Sequence, residues 1–433
     1  MVSADNLNLD VLEHIFSYLS GNDLLSVALV SRSFFTAVIP RLYTNLRYRI
    51  RGSKGYNTGK TVSPFQVIAA HPELTIHVRS IEICSAPLAN SQVHPAFVQD
   101  CSNAISICRN LQYFRCTVPN ILHYFLLARG SKVNLRSLRI HAQLSTDQAH
   151  LLIKLGRIRN LSLEYASWNV VDTLPRWIEP SRTTLTHLTL YMISELNVDI
   201  LTSVLIQLPK LTALHVVGCL RVDHVSIVRL LLHIPLLESL SMTTTENPYP
   251  FDTQAPPLYR LRHLALDTRY SVMTSPAPAI LSALLEHLKG SSAPLVSFSM
   301  KLPDNKVVVG NDFIKQLLGH YAHTLRRLAF LDCSVGMDSL AEICKSCIQL
   351  ERLDVAVPIK ELHQFTNILS QSHTLKTLVD VVNHVVHGTR LSLTRDSVRH
   401  LMINVRNLRK VVSNKRIWVV RPLSTYAPLF LCR

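Results

Sequence analysis

Along most of the chain, apolar positions return to one short arrangement: apolar, two variable residues, apolar, one variable residue, apolar. It reads LRSLRI (Leu135, Leu138, Ile140), IRNLSL (Ile158, Leu161, Leu163) and LTHLTL (Leu185, Leu188, Leu190). It continues as LTALHV from Leu211, LLESLSM around Leu237, LRHLAL from Leu261, LRRLAF from Leu325 and LERLDV from Leu350, with weaker copies from Val78, Leu111, Leu295 and Leu375. From Leu111 to Leu261 the first positions are 23 to 27 residues apart, and the last two steps are 25 each. Two apolar positions separated by one residue share one face of a strand. The intervening segments, such as SVLIQLPKL (203–211) and VSIVRLLLHIPLL (225–237), have helical apolar spacing and then a proline, which cannot continue a helix. The pattern therefore predicts an α/β array of short parallel strands with outer helices. Such units stack because none can bury its apolar face alone.

The spacing and the L-x-x-L-x-L core resemble leucine-rich repeats, whose period is 20–29 residues. Cys219 and Cys333 stand at the position that this pattern gives to Asn or Cys, while other copies carry Pro, Gln, Ala, Ile, Thr or Arg there. The resemblance implies a curved leucine-rich-repeat solenoid over 75–412, degenerate in its repeats. The tail 413–433, with Trp418, Tyr426 and Phe430, is expected to cover its end.

Residues 5–43, DNLNLDVLEHIFSYLSGNDLLSVALVSRSFFTAVIPRLY, do not share the pattern. They divide into three short helices. The first starts near Asp10 and stops near Gly21, the second is capped by Asn22 or Asp23, and the third is capped by Ser31 with Pro40 disrupting its end. Their apolar residues are spread around the helices, which calls for burial on several sides. A unit of about forty residues buries too little surface to stand easily alone, so a partner is the economical cover.

Leu7, Asp10, Val11, Leu12, Ile15, Phe16 and Leu19, then Asp23-Leu24, then Leu29-Val30-Ser31 and the aromatic pair Phe34-Phe35, resemble an F-box in register. Asn8 stands where that family usually has Pro, and Ser31 where Cys is common. The resemblance implies a three-helix F-box at 1–48 that docks on a Skp-type adaptor, and through it on the cullin of an SCF-type ubiquitin ligase. Leu7, Asn8, Leu12, Ile15, Leu19, Leu24, Leu25, Val30 and Phe34 would make the adaptor contact, and the repeats would recruit a protein substrate. The competing reading is that the three helices only cap the array, leaving a leucine-rich-repeat interaction scaffold without a ligase role.

Composition narrows the choice further. Hydrophobic residues make up 48% and charged residues 17% of the 433, enough apolar material for a continuous core. The opening residues do not read as a secretory leader, no window reads as a transmembrane run, and nine cysteines at irregular spacing lead us to expect reduced thiols in cytoplasm or nucleus. A formal charge of +16 favours acidic or phosphorylated protein partners.

The basic stretch 49–74 reads as a linker. Within it GYNTGKT (55–61) has one residue too few between its glycines for a phosphate-binding loop. Cys344 and Cys347 lack the second pair that a zinc site needs. No triad, paired-carboxylate or metal set stands out, so a non-catalytic chain without cofactor is expected, with no membrane role. Nucleic acid is disfavoured for want of interleaved stacking aromatics. Substrate would meet residues between the rung positions: Arg136, Arg139, Glu164, His187, Arg262, His263, Arg326, Arg327 and Glu351.

Overall fold

A computed structural model describes residues 8–19, 21–49, 56, 62–89, 92–119, 121–122, 125, 134–245, 255–269, 277–302, 307–381, 393–414, 416–421 and 429–432. Leu7, the 55–61 stretch apart from Tyr56, His384, His387 and Tyr426 lie outside the described residues. The chain forms two compact units, Met1–Lys210 and Leu211–Arg433.

The first unit opens with three helices, α1 (Leu9–Phe16), α2 (Asn22–Ala28) and α3 (Arg32–Thr44). Gly21, not Asn22 or Asp23, is the N-cap of α2, and its φ of +60° explains why a glycine stands in this turn. Ser31 caps α3 as expected, accepting the Phe34 N–H at 3.3 Å. Pro40 does not end α3, which runs through it to Thr44. Ala37 and Val38, fully buried just before the proline, fasten that turn against α1 and α2, so packing overrides the missing N–H.

A parallel sheet follows: β1 (Asn45–Tyr48), β2 (Ser80–Ile83), β3 (Tyr113–Cys116), β4 (Ser137–His141), β5 (Asn160–Glu164) and β6 (His187–Tyr191), each paired with the next. Part of the expected linker is folded into this unit. Residues Pro64–Ala70 form a helix that buries Phe65 and Ile68 completely. Tyr56 lies in the same aromatic cluster, 5.4 Å from Phe97, with its hydroxyl donating to Asp100 at 2.5 Å.

In the second unit, among the described residues, eight strands pair in parallel in one sheet: β7 (Ala213–Val217), β8 (Ser239–Thr245), β9 (His263–Arg269), β10 (Ser297–Lys301), β11 (Arg327–Leu331), β12 (Arg352–Val355), β13 (Thr377–Asp380) and β14 (Lys410–Ser413). Antiparallel β15 (Arg416–Arg421) and β16 (Leu429–Cys432) add to its end, with Trp418 buried. The register aligns Leu214, Leu240, Leu264, Phe298, Leu328, Leu353, Leu378 and Val411 in one line, all at most 2% exposed. The line ends on a rung that the L-x-x-L-x-L pattern hides. In LRKVVS the third position is Ser413, buried because its hydroxyl donates to Asp380 at 2.6 Å. Helices connect most successive strands, several with side-chain caps; Ser145 and Gln148 make a reciprocal capping box, and Asn197 and Asp223 cap Val198–Leu205 and His224–Leu230.

Two devices recur that no leucine pattern reveals. The residue just before a rung's first apolar position bonds back to the preceding rung: Thr184 to the Ile158 carbonyl at 3.0 Å, Thr374 to Leu350 at 2.9 Å, and Asn110 to Ile76 at 3.0 Å. The residue just after a strand takes positive φ, as at Tyr165, Met192, Gly218, Asp332 and Asn414. That turn sends the following side chain inward, which is why Ala166, Ile193, Cys219 and Cys333 are all buried.

Replacing Thr374 by Val keeps the shape of the side chain but removes the bond to Leu350. It should destabilise the second unit by about 1 kcal/mol in urea unfolding, and Thr184→Val should do the same to the first. Unchanged midpoints would show that these edge bonds contribute nothing.

Candidate functional site

The three N-terminal helices split their apolar residues between two directions. Leu12, Phe16, Leu24, Ala37 and Val38 form the core, with Leu19, Val27, Phe34 and Leu42 packed half-buried around it and the Phe16 and Phe34 rings 5.2 Å apart. Helical spacing accounts for the split on α1: Leu12 and Phe16 share one face, while Val11, Ile15 and Tyr18 share another. The outward set is large. Val11, Ile15, Tyr18, Leu25, Leu29, Val30 and Phe35 are exposed, Leu29 by 88% and Val30 by 65%. Side chains of this kind concentrated in one small domain mark an interaction surface.

The structure therefore sorts the expected adaptor contacts. Ile15, Leu25 and Val30 are exposed, as is Asn8; Leu19 and Phe34 are half-buried; Leu12 and Leu24 are inside the domain's own core and unavailable to a partner. Leu29 and Phe35, not among the expected contacts, are also exposed, beside Val30 and Phe34 in the same register.

The residues expected to meet substrate fall on both units. In the first, Arg139, Glu164 and His187 line a groove of about 260 Å³ on the open face of the sheet, together with Tyr113, Asn160 and Tyr191. Arg139 is not a free cation, since its Nε donates to Glu164 at 2.5 Å. Arg136 lies outside this groove, exposed at the N-terminal end of β4. At the other strand end the rings of His141 and Tyr165 stack 5.2 Å apart, with Tyr191 edge-on to Tyr165 at 6.0 Å.

In the second unit, Arg262 and Arg326 line a groove of about 500 Å³, and Arg326 and Glu351 one of about 390 Å³. His263 and Arg327 belong to the neighbouring row, where the register pairs each through Ser297. His187 and His263 are biased toward the neutral imidazole. Desolvation, reinforced by nearby arginines, holds both below the ordinary 6.5. His141 is also lowered, by desolvation, against an opposing pull from Glu164.

These histidines give a sign to the pH dependence. The unfolded chain takes up their protons near 6.5 and the folded chain only at lower pH. Stability is then full above 6.5 and falls as pH drops below it. Melting temperatures between pH 7.5 and 5.5 should decline, with a shallower slope in His187→Gln and His263→Gln; equal slopes would remove the histidines as the cause.

The cysteines are packing residues. Burial pushes the thiols of Cys333, Cys344 and Cys347 up to about 12, and Cys116 likewise. Thiolate is the nucleophilic form, so burial as thiol disfavours reactivity at the C-x-x-C pair. Among the described residues no group of three or more His, Cys, Asp or Glu is arranged to hold a metal ion, and no helix is long and apolar enough to cross a membrane. With iodoacetamide at pH 8, half-buried Cys84 should be alkylated in the native protein, and Cys344 and Cys347 only after denaturation, as read by peptide mass mapping.

Comparison with known proteins adds three findings. A family model described as F-box-like matches residues 9–49. A search of curated proteins gives no match. Among solved structures, the crystal structure of the Rad7 and Elc1 complex in yeast has a chain 12% identical to this one, with 92% of this chain and 100% of that chain covered and a TM-score of 0.41. The match at 9–49 spans α1, α2, α3 and β1, the same residues that carry the outward apolar set. The N-terminal helices are similar to an F-box-like domain.

Proposed function

We propose that this chain is the substrate-recognition subunit of an SCF-type, cullin–RING ubiquitin ligase. The F-box-like domain docks on a Skp-type adaptor, and through it on a cullin. The strand-and-helix units, read as degenerate leucine-rich repeats, recruit a protein target. The chain performs no chemistry itself; it raises the local concentration of target lysines at the transfer machinery. The observation that carries this reading is the exposure of Ile15, Leu25, Leu29, Val30 and Phe35 on a domain that matches the F-box-like model. A cap for a repeat array needs one apolar face, toward the array. This domain has a core and a further outward set.

Co-expression of the full chain with a Skp-type adaptor, followed by affinity capture, tests the proposal. Wild type should capture the adaptor. Leu29→Asp and Val30→Asp should weaken binding at least about 30-fold, because charge at the centre of an apolar contact typically costs 2 kcal/mol or more. Both should keep the wild-type circular dichroism spectrum, their side chains being exposed. Leu24→Asp is the wrong probe, since it places a carboxylate in the domain core and melts the helices. Failure of the wild type to capture the adaptor would reduce the three helices to another role.

A further inference from the structure

We propose that the N-terminal edge of the second unit's sheet is a docking groove for an acidic polypeptide segment bound in extended form. The inference rests on the receptor reading above for its biological sense, and on the geometry of this edge for its chemistry. The two grooves of this unit share Arg326 and Gln349, so they form one run along the strand ends from β9 to β14.

The run is basic because of where the repeat places one residue. The position after each rung's first leucine is occupied by Arg262, Val296, Arg326, Glu351, Lys376 and Arg409. Backbone hydrogen bonds of 2.8 to 2.9 Å, from each N–H to the preceding member's carbonyl, hold these six in a row. The next row, in register, carries Arg327, Arg352 and Lys410.

Some of these charges are already used. Lys376 pairs with Glu351 at 2.9 Å, and Arg352 makes two bonds to Asp354, at 2.7 and 2.8 Å. Arg326 donates only to the neutral amide of Gln349, at 3.3 Å. Among the described residues, no carboxylate lies within ion-pair distance of Arg262, Arg326, Arg327, Arg409 or Lys410. The parallel array itself brings these unpaired cations together, which sets the charge complement of a ligand.

Spacing sets its form. Neighbouring strands are about 4.8 Å apart, so the unpaired Arg262 and Arg326, on alternate strands, lie roughly 10 Å apart. An extended chain advances about 3.3 Å per residue, so acidic residues three apart would meet both. The row from Arg262 to Arg409 spans about 24 Å by the same measure, the length of seven or eight extended residues. A peptide fits this edge better than nucleic acid for two reasons. Glu238 and Glu351 face the same run and would repel a continuous phosphate backbone, whereas a peptide can place neutral residues there. Among the described lining residues only Tyr259 and the His373 imidazole could stack on bases, too few for a stacked strand.

Fluorescence anisotropy on the full chain tests this with four probes: a labelled decamer with Glu at every third residue, the same decamer with phosphoserine for Glu, a Lys counterpart, and a ten-nucleotide single-stranded DNA. The acidic decamers should bind and the Lys decamer should not. Arg326→Glu and Arg409→Glu should each weaken the acidic decamers by about tenfold, the worth of one charge-assisted bond, with Arg326→Gln intermediate. Arg182→Glu, at an exposed position of the first unit, should leave them unchanged. DNA binding more tightly than either acidic decamer, acidic binding insensitive to Arg326→Glu, or no binding by the wild type would each overturn the proposal. Adaptor capture is measured on the same variants. Arg326→Glu that still captures the adaptor but has lost the decamers separates the groove from the receptor reading. Acidic binding in a chain that captures no adaptor keeps the groove and removes the ligase role.

Discussion

The register of the parallel strands is the constraint on which everything else depends. A strand of four or five residues buries half its side chains only if the strand before and the strand after lie in the same phase. A slip of one residue would turn the line from Leu214 to Val411 outward, because side chains alternate across a sheet. The phase is held at both strand ends. At the start, Thr184, Thr374 and Asn110 tie each rung to the one before. At the finish, the left-handed residue after the strand turns the chain and buries its successor. Between these fixed points the intervening helices are free to vary, which accounts for rung spacings that drift from 23 to 34 residues without loss of the sheet.

The same constraint explains what could be read from the sequence. Inward positions of the rungs are large and apolar by necessity, so LTHLTL or LRRLAF announces itself. The turn after the strand does not, because its geometry is met by Tyr165, Met192, Gly218 and Asp332 alike; backbone conformation is conserved across the units while residue type is not. The last rung escaped for a chemical reason, since Ser413 is buried by a hydrogen bond to Asp380 rather than by being apolar. Pro40 misled in the opposite direction, as a local helix-breaking preference that the burial of Ala37 and Val38 overrides. In residues 62–74 the two core side chains, Phe65 and Ile68, follow directly on a basic run whose composition is that of a solvated linker.

The candidate sites were half legible, and the division has one cause. A sequence shows that Leu12, Ile15, Leu24 and Val30 are apolar; it does not show which of them the domain consumes. Three helices of this size must spend several large side chains on their own core before any are left for a partner. Helical phase then puts Leu12 and Phe16 inside and Ile15 outside. The outcome for Leu24 and Val30, six residues apart in adjoining segments, depends on how α2 and α3 cross, which no pattern within either helix specifies.

Charge was legible only as a total for a parallel reason. Arg139 and Arg326 occupy similar sequence settings, inside an L-x-x-L-x-L core rich in arginine. Arg139 stands at the fifth position, pointing off the strand face, where Glu164 on the next strand reaches its guanidinium. Arg326 stands at the second position, before the strand begins, and donates to a neutral amide, with the Glu351 carboxylate in the same groove but beyond ion-pair distance. A cation on a strand face has neighbours from two strands that can neutralise it. At the strand starts of the second unit the outcome varies with the neighbour: Lys376 is paired with Glu351 beside it, while Arg262, Arg326 and Arg409, at the same position on other strands, have no carboxylate within ion-pair distance among the described residues. The weight of a basic residue here therefore depends less on how many accompany it than on what stands next to it in the row.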